Sequence, residues 1–156
     1  MAEVKIITAN PQHLKQIHEL NKLLYLPELE EIKPFIWSEI AWIESSLEKF
    51  FVIEIDGVIV GALSLDAGLS PEVMELVSIA VSTEHQGKGA GKKLISFAKN
   101  FAIMCGANKL ELGTFSSYEK VEFYKSQGFC EKGISYYQTQ KYGKKFPYHR
   151  MEADLY

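Results

Sequence analysis

The chain has 156 residues, 47% hydrophobic and 24% charged, with 17 Lys and Arg against 20 Asp and Glu for a net charge of −3. That length suits one domain, residues 1–156, which buries an adequate core without disulfide or metal staples. The composition excludes a disordered, collagenous, coiled-coil or disulfide-framework protein; the acidic excess argues against a general nucleic-acid coat but allows a local basic pocket for one phosphorylated ligand.

In chain order, 5–8 reads as a short first strand. Asn10-Pro11 then supplies an N-cap and a proline at the first helical position, where the missing N–H costs nothing. Leu14, Ile17, Leu20 and Leu24 carry the helical spacing until Pro27 ends it. A second helix is predicted over 35–48, after Pro34, with Ile36, Ile40, Ile43 and Leu47 on its apolar stripe. The β-rich runs 50–55 and 58–65 flank Asp56-Gly57, a strong hairpin signal. A strand over 73–81 precedes a helix over 89–105 with Leu94, Ala98, Phe101 and Cys105 on one face and Gly106 as its C-cap. Another strand covers 109–115. Ser116 with Glu119 three residues on is a capping-box signature for a short helix that stops at Gly128. Strands over 129–138 and 146–155 close the order βααβββαβαββ, a mixed α/β domain.

Cys105 and Cys130 are too few for a secreted framework, form no CxxC pair, and read as small buried hydrophobes. His13, His18, His85 and His149 lack ligand spacing, so no metal is expected. The charged start, Glu3 and Lys5, lacks the apolar core of a leader, and no apolar run approaches the ~20 residues that span a bilayer. A cytoplasmic protein with no membrane and no nucleic-acid partner is expected.

The most informative stretch is Gln86-Gly87-Lys88-Gly89-Ala90-Gly91-Lys92-Lys93, between an apolar strand and an amphipathic helix. Glycines there permit positive φ and let a ligand approach the backbone, so that N–H groups converge on an anion at the helix N-terminus. The ligand group so predicted is a phosphate or pyrophosphate. A Walker loop anchored on Gly91-Lys92 would need glycine at Gln86 and a hydroxyl at Lys93; a dinucleotide fingerprint would need glycine at Lys92 or Leu94. Both nucleotide patterns fail.

The spacing Gln86-x-x-Gly89-x-Gly91 resembles the Gln/Arg-x-x-Gly-x-Gly/Ala loop of the GNAT superfamily of N-acetyltransferases. The run from Glu75 to Val81 looks like that family's fourth strand, and Phe123-Tyr124-x-x-x-Gly128-Phe129 is similar to its signature at the end of the fourth helix. The resemblance covers essentially the whole chain and implies an α/β fold with a mixed, centrally splayed sheet of about seven strands and about four flanking helices. It implies acetyl-coenzyme A as cosubstrate, a primary amine of a small molecule or peptide as acceptor, and direct attack of the amine on the thioester. Pyrophosphate would sit on backbone N–H groups of Gln86, Gly87, Lys88, Gly89, Ala90, Gly91 and Lys92. The pantetheine arm would pair with the main chain of Ile79, Ala80 and Val81 like an added strand. Lys92 and Lys93 either reach the phosphates or are solvated surface.

Tyr124 is the implied proton donor to the departing thiolate, and Glu75 the candidate base that takes the ammonium proton through water. The bland alternatives are an amphipathic core tyrosine and an exposed glutamate near a strand's start. Ser117 stands where the family commonly has asparagine and offers a hydroxyl to pantetheine or substrate; Thr83 replaces a frequent proline. The acidic segment from Leu26 to Glu31 is either an attractor of cationic amines or a solvated run. The aromatic and basic Tyr136, Tyr137, Tyr142, Lys144, Lys145, Phe146 and Tyr148 form an acceptor wall, a homodimer contact or ordinary strand packing. Two other functions are compatible with the loop: a catalytically silent acyl-coenzyme A sensor and a phosphate-binding structural domain.

Overall fold

The computed structural model describes residues 2–27, 37–141 and 143–156. Within them lie strands β1 (Val4–Thr8), β2 (Phe50–Ile55), β3 (Val58–Ala67), β4 (Val73–Val81), β5 (Lys109–Phe115), β6 (Cys130–Gln138) and β7 (Lys145–Asp154), and helices α1 (Leu14–Asn21), α2 (Ile40–Ser45), α3 (Ala90–Met104) and α4 (Val121–Ser126). The strands form one sheet in the order β1-β2-β3-β4-β5-β7-β6. Only β4 and β5 run parallel; the other neighbours are antiparallel.

Local chemistry explains most boundaries. Asn10 Oδ1 accepts from the Gln12 N–H at 2.9 Å and His13 Nδ1 accepts from the Asn10 N–H at 3.2 Å, fixing the turn that leads into α1. Asp56 (φ 50°) and Gly57 (φ 82°) both adopt the left-handed conformation that a tight hairpin between right-twisted strands requires. Helix α3 carries Ala90, Leu94, Ala98 and Ala102, all buried, on one stripe. The small alanines let its axis approach the sheet, and burial of a side chain such as Leu94 is worth about 1.5–3 kcal/mol.

Each face of the sheet has its own core. One packs α3 and Tyr124 against Leu63, Leu65, Leu76, Leu110, Leu112 and Met151; the other packs Ile17, Leu20 and Ile43 against Phe50, Val52, Ala62 and Ala80. Strand β4 contributes to both because its register with β3 shifts: Leu65 faces Leu76, but Ser64 faces Ser78. Val77 is the extra residue. Met74 and Leu76 face the α3 core before this bulge, and after it the alternation reverses, so Ile79 and Val81 face that core and Ala80 the other. The bulge also coincides with a parting of the sheet. β4 and β5 pair only through Val73↔Lys109, Met74↔Leu110 and Glu75↔Glu111, and beyond Glu75 they diverge.

Four expectations need correction. The second helix is much shorter than 35–48, and Ile40 of its expected apolar stripe is 48% exposed, because Ile43 alone of α2 inserts fully into the core. Residues 28–36, including Ile36, lie outside the described residues. Ser116 and Glu119 form no capping box: they are joined by one tight turn that Glu119 ends at φ 57°, the Ser116 hydroxyl is directed to His149, and α4 begins only at Val121 with no side-chain cap. Cys105 and Cys130 are exposed, the first because it follows the end of α3 where Gly106 (φ 89°) turns the chain away, the second because β6 is an uncovered edge strand.

Candidate active site

The parting of β4 from β5 opens a cavity of about 790 Å³. One wall is the free edge of β4 from Val77 to Val81; it continues into Gln86, Gly87, Gly89, Gly91 and Lys92. The facing wall is β5 from Leu112 to Phe115, followed by Ser117, Tyr118, Phe123 and Tyr124. Leu23, Leu24, Leu26 and Trp37 close the side toward α1, and Tyr148 of β7 adds to the β5 wall.

The glycine loop is built from two kinds of glycine. Gly87 (φ 75°) and Gly89 (φ 91°) are left-handed, and a β-carbon on either would meet no atom within 4 Å. The left-handed backbone is what favours glycine there, not crowding. Gly91 is helical, and a β-carbon there would lie 3.4 Å from the Phe123 ring, so it sets the approach of α3 to α4. Gly89 is the N-cap of α3 and supplies no side chain to its first turn; the helix's first bond runs from Lys93 N–H to Gly89 C=O. The N–H groups of Ala90, Gly91 and Lys92 therefore point out of a 15-residue helix at its positive end. Gln86 Nε2 donates to the Val81 carbonyl at 3.0 Å, which ties the loop back to β4.

Tyr124 sits on the cavity wall with its ring between Phe123 (5.5 Å) and Phe129 (5.9 Å). Burial pushes its phenol well above the usual tyrosine range, so the hydroxyl keeps its proton. Glu75 lies elsewhere. It is exposed, on the last paired rung before the strands part, in a row of carboxylates with Asp66 of β3 and Glu111 of β5. Its carboxyl is raised above the ordinary range, first by partial burial and then by Glu111 and Asp66.

Of the residues singled out by sequence, Ile79, Ala80, Val81, Gln86, Gly87, Gly89, Gly91, Lys92, Ser117 and Tyr124 line this one cavity. Three do not. Lys88 flanks a shallower depression with Lys92 and Lys93, Ala90 is buried in the core, and Glu75 is at the cleft's foot but not on its walls. The acidic stretch from Glu28 to Glu31, and Tyr142, are outside the described residues.

Sequence reasoning missed the pairing of Gly113 with Tyr148. A β-carbon at Gly113 would stand 1.8 Å from the Tyr148 hydroxyl oxygen, so this glycine exists to let that phenol lie across β5. Burial, Tyr137 and Glu75 raise the Tyr148 phenol. Tyr118 donates its hydroxyl to the Leu24 carbonyl at 2.6 Å, linking the turn after β5 to the end of the α1 region. A glycine inside a strand was the one available signal.

A profile of the acetyltransferase (GNAT) family matches residues 14–129. An amino-acid acetyltransferase of Vibrio vulnificus is 24% identical over 133 residues, covering 83% of this chain and 29% of its own length. N-acetyltransferase family 8 member 3 of Rattus norvegicus is 30% identical over 101 residues, covering 62% of this chain and 44% of that protein. The chain thus spans less than half the length of either relative. Among solved structures, yncA of Salmonella typhimurium with its cofactor acetyl-CoA superposes with a TM-score of 0.75 at 23% identity, over 98% of this chain and 94% of that one. That likeness shows the shared fold. Among the described residues no group of three or more His, Cys, Asp or Glu side chains is placed to hold a metal ion, and no helix is long and apolar enough to cross a membrane.

Proposed function

The chain belongs to the acetyltransferase (GNAT) family, and from that membership we propose that it transfers an acetyl group from acetyl-coenzyme A to a primary amine of a small molecule or peptide. One observation carries the reading. β4 leaves β5 after Glu75, so 77–81, still paired with β3 on one side, has no strand partner on the side that faced β5, beside a cavity that runs from the open N-terminus of α3 to Tyr124. The residues present fit the cosubstrate: unpaired strand edge for the amides of pantetheine, and uncapped helix N–H groups with two left-handed glycines for pyrophosphate. When bound, acetyl-coenzyme A supplies an acetyl thioester, an activated acyl group.

The protein's own residues have three tasks. The loop and β4 bind and orient through backbone donors, with Lys92 adding charge and the Ser117 hydroxyl a polar contact on the facing wall. The acceptor arrives as an ammonium of pKa about 10 and must lose a proton before it attacks. Glu75 takes that proton through water, and its raised pKa makes it a stronger base than an ordinary carboxylate. Tyr124 then serves the sulfur. A thiol of pKa about 8.5 is more acidic than a buried phenol, so outright proton transfer from Tyr124 is uphill. Its main contribution is a hydrogen bond that strengthens as charge develops on sulfur.

The test has two arms. Calorimetry should show saturable binding of coenzyme A; a folded protein that binds none overturns the reading. A panel of polyamines, aminoglycosides, amino acids and peptides, assayed for free thiol from acetyl-coenzyme A, should reveal at least one accelerated acceptor.

A further inference from the structure

A second set of reactive side chains lies outside the cleft chemistry just described. Ser116 Oγ is 2.6 Å from Nε2 of His149, and His149 Nδ1 is 2.8 Å from Oε2 of Glu131. The three residues come from the turn after β5, from β7 and from β6, and register brings them together: Thr114 faces His149, and His149 faces Ile134. We propose that Ser116, His149 and Glu131 form a nucleophilic relay that gives this protein a second activity, the hydrolysis of short activated acyl esters through an acyl-Ser116 intermediate.

The roles follow from what each group can donate. An ionised carboxylate only accepts, so the Glu131–His149 bond requires the proton on Nδ1. In the neutral imidazole Nε2 then carries a lone pair and accepts from the Ser116 hydroxyl. That is the order of nucleophile, base and orienting carboxylate that activates a serine. The His149 ring is largely shielded, its side chain 12% exposed; Glu131, on the uncovered edge strand β6, is more open at 28%, and Ser116 is half-buried. The Ser116 hydroxyl is also not spent on its own turn: the capping role its spacing suggests does not occur, and the hydroxyl is directed to β7 instead.

In the first half of the reaction Oγ attacks the ester carbonyl carbon and His149 takes the hydroxyl proton. The carbon–oxygen bond to the leaving alcohol breaks, and His149 returns the proton to that oxygen. In the second half a water attacks the acyl-serine, gives a proton to His149, and the carboxylic acid departs as Oγ recovers its proton. No oxidant or reductant is needed.

The experiment uses the full chain with p-nitrophenyl acetate and, separately, a fluorophosphonate probe, neither acetyl-coenzyme A nor an amine being present. Peptide mass mapping should find one acetyl or one phosphonyl group on Ser116. Labelling should vanish in Ser116→Ala and slow by about 10²-fold or more in His149→Gln, both with wild-type circular dichroism. Folded wild-type protein that carries no group on Ser116 under probe excess, or carries it only on other residues, overturns the proposal, as does equal labelling in His149→Gln. Either result leaves the acetyl-transfer reading where it stands.

Discussion

Along the β4 wall of the cleft the groups on offer are main-chain N–H and C=O, from 77–81 and from the glycine loop; along the opposite wall they are side chains, chiefly Phe115, Tyr118 and Tyr148. The first wall is continuous in sequence and the second is gathered from distant segments. A backbone site constrains its sequence only where conformation demands glycine, which is why it leaves a readable mark. A side-chain site constrains residues whose partners appear only on folding. If the two walls serve donor and acceptor respectively, damage to each should register in a different kinetic constant.

The largest effect is expected at Tyr124, on the wall opposite β4. Tyr124→Phe keeps the ring between Phe123 and Phe129 and removes only the hydroxyl. Turnover should fall by about 10²–10³-fold, roughly 2.7–4 kcal/mol of transition-state stabilisation, the usual cost of removing one hydrogen-bond donor to developing charge. kcat and kcat/KM should fall together, with coenzyme A affinity near wild type by calorimetry. A variant that turns over at the wild-type rate while chemistry is limiting would remove Tyr124 from the mechanism.

Next comes the backbone wall. Gly89→Val puts a β-branched residue at φ 91°, a strain of about 1–3 kcal/mol that the loop relieves by leaving its conformation. Coenzyme A should bind roughly 5–150-fold more weakly, the same energy expressed as affinity, while the chain stays folded because no interior atom is displaced. Unchanged affinity in a folded Gly89→Val would mean that pyrophosphate does not rest on this loop.

The side-chain wall should respond in the other constant. Gly113→Ala forces the Tyr148 ring off β5, since the hydroxyl oxygen and ring carbon would lie 1.8 and 2.2 Å from the new methyl group. The amine KM should change by about tenfold, with coenzyme A affinity held within about twofold. If the amine KM is unmoved and coenzyme A affinity falls instead, the assignment of walls is reversed.

The same contrast separates what the sequence shows from what it hides. The Asp56-Gly57 hairpin, the extent of β4 and the glycine loop are legible because each depends on residues adjacent in the chain. The bulge at Val77 is not: in an apolar strand nothing marks which residue is extra, yet it reverses the faces of everything after it. Gly113 looks like a weak point of β5 until Tyr148 lies over it. Ser116 has the spacing of a cap, and only β7 reveals that its hydroxyl is engaged by His149. Glu75 reads as a polar intruder in a strand, but its row with Asp66 and Glu111 needs two neighbouring strands to be seen.

That row gives the smallest effect and the most specific sign. Because burial and two carboxylates raise the Glu75 pKa in the folded chain, the native state holds its proton to higher pH than the unfolded state does. Between the two pKa values the folded form binds more protons, so stability falls as pH rises through that window. Glu75→Gln should therefore unfold at higher denaturant concentration than wild type at neutral pH and at the same concentration well below the unfolded carboxylate pKa. Solvent screening of so exposed a side chain keeps the gain under about 1 kcal/mol. In catalysis the sign is opposite, since only the ionised group accepts a proton. Wild-type kcat should drop on acidification through the raised pKa, and Glu75→Gln should lose that limb with coenzyme A affinity intact. Its cost at neutral pH should be under about tenfold, less than the usual 10²–10⁴ of a directly placed base, because Glu75 stands off the cavity wall and acts through water. An acid limb that persists unchanged in Glu75→Gln would assign the titration to another group and leave the amine to lose its proton to solvent.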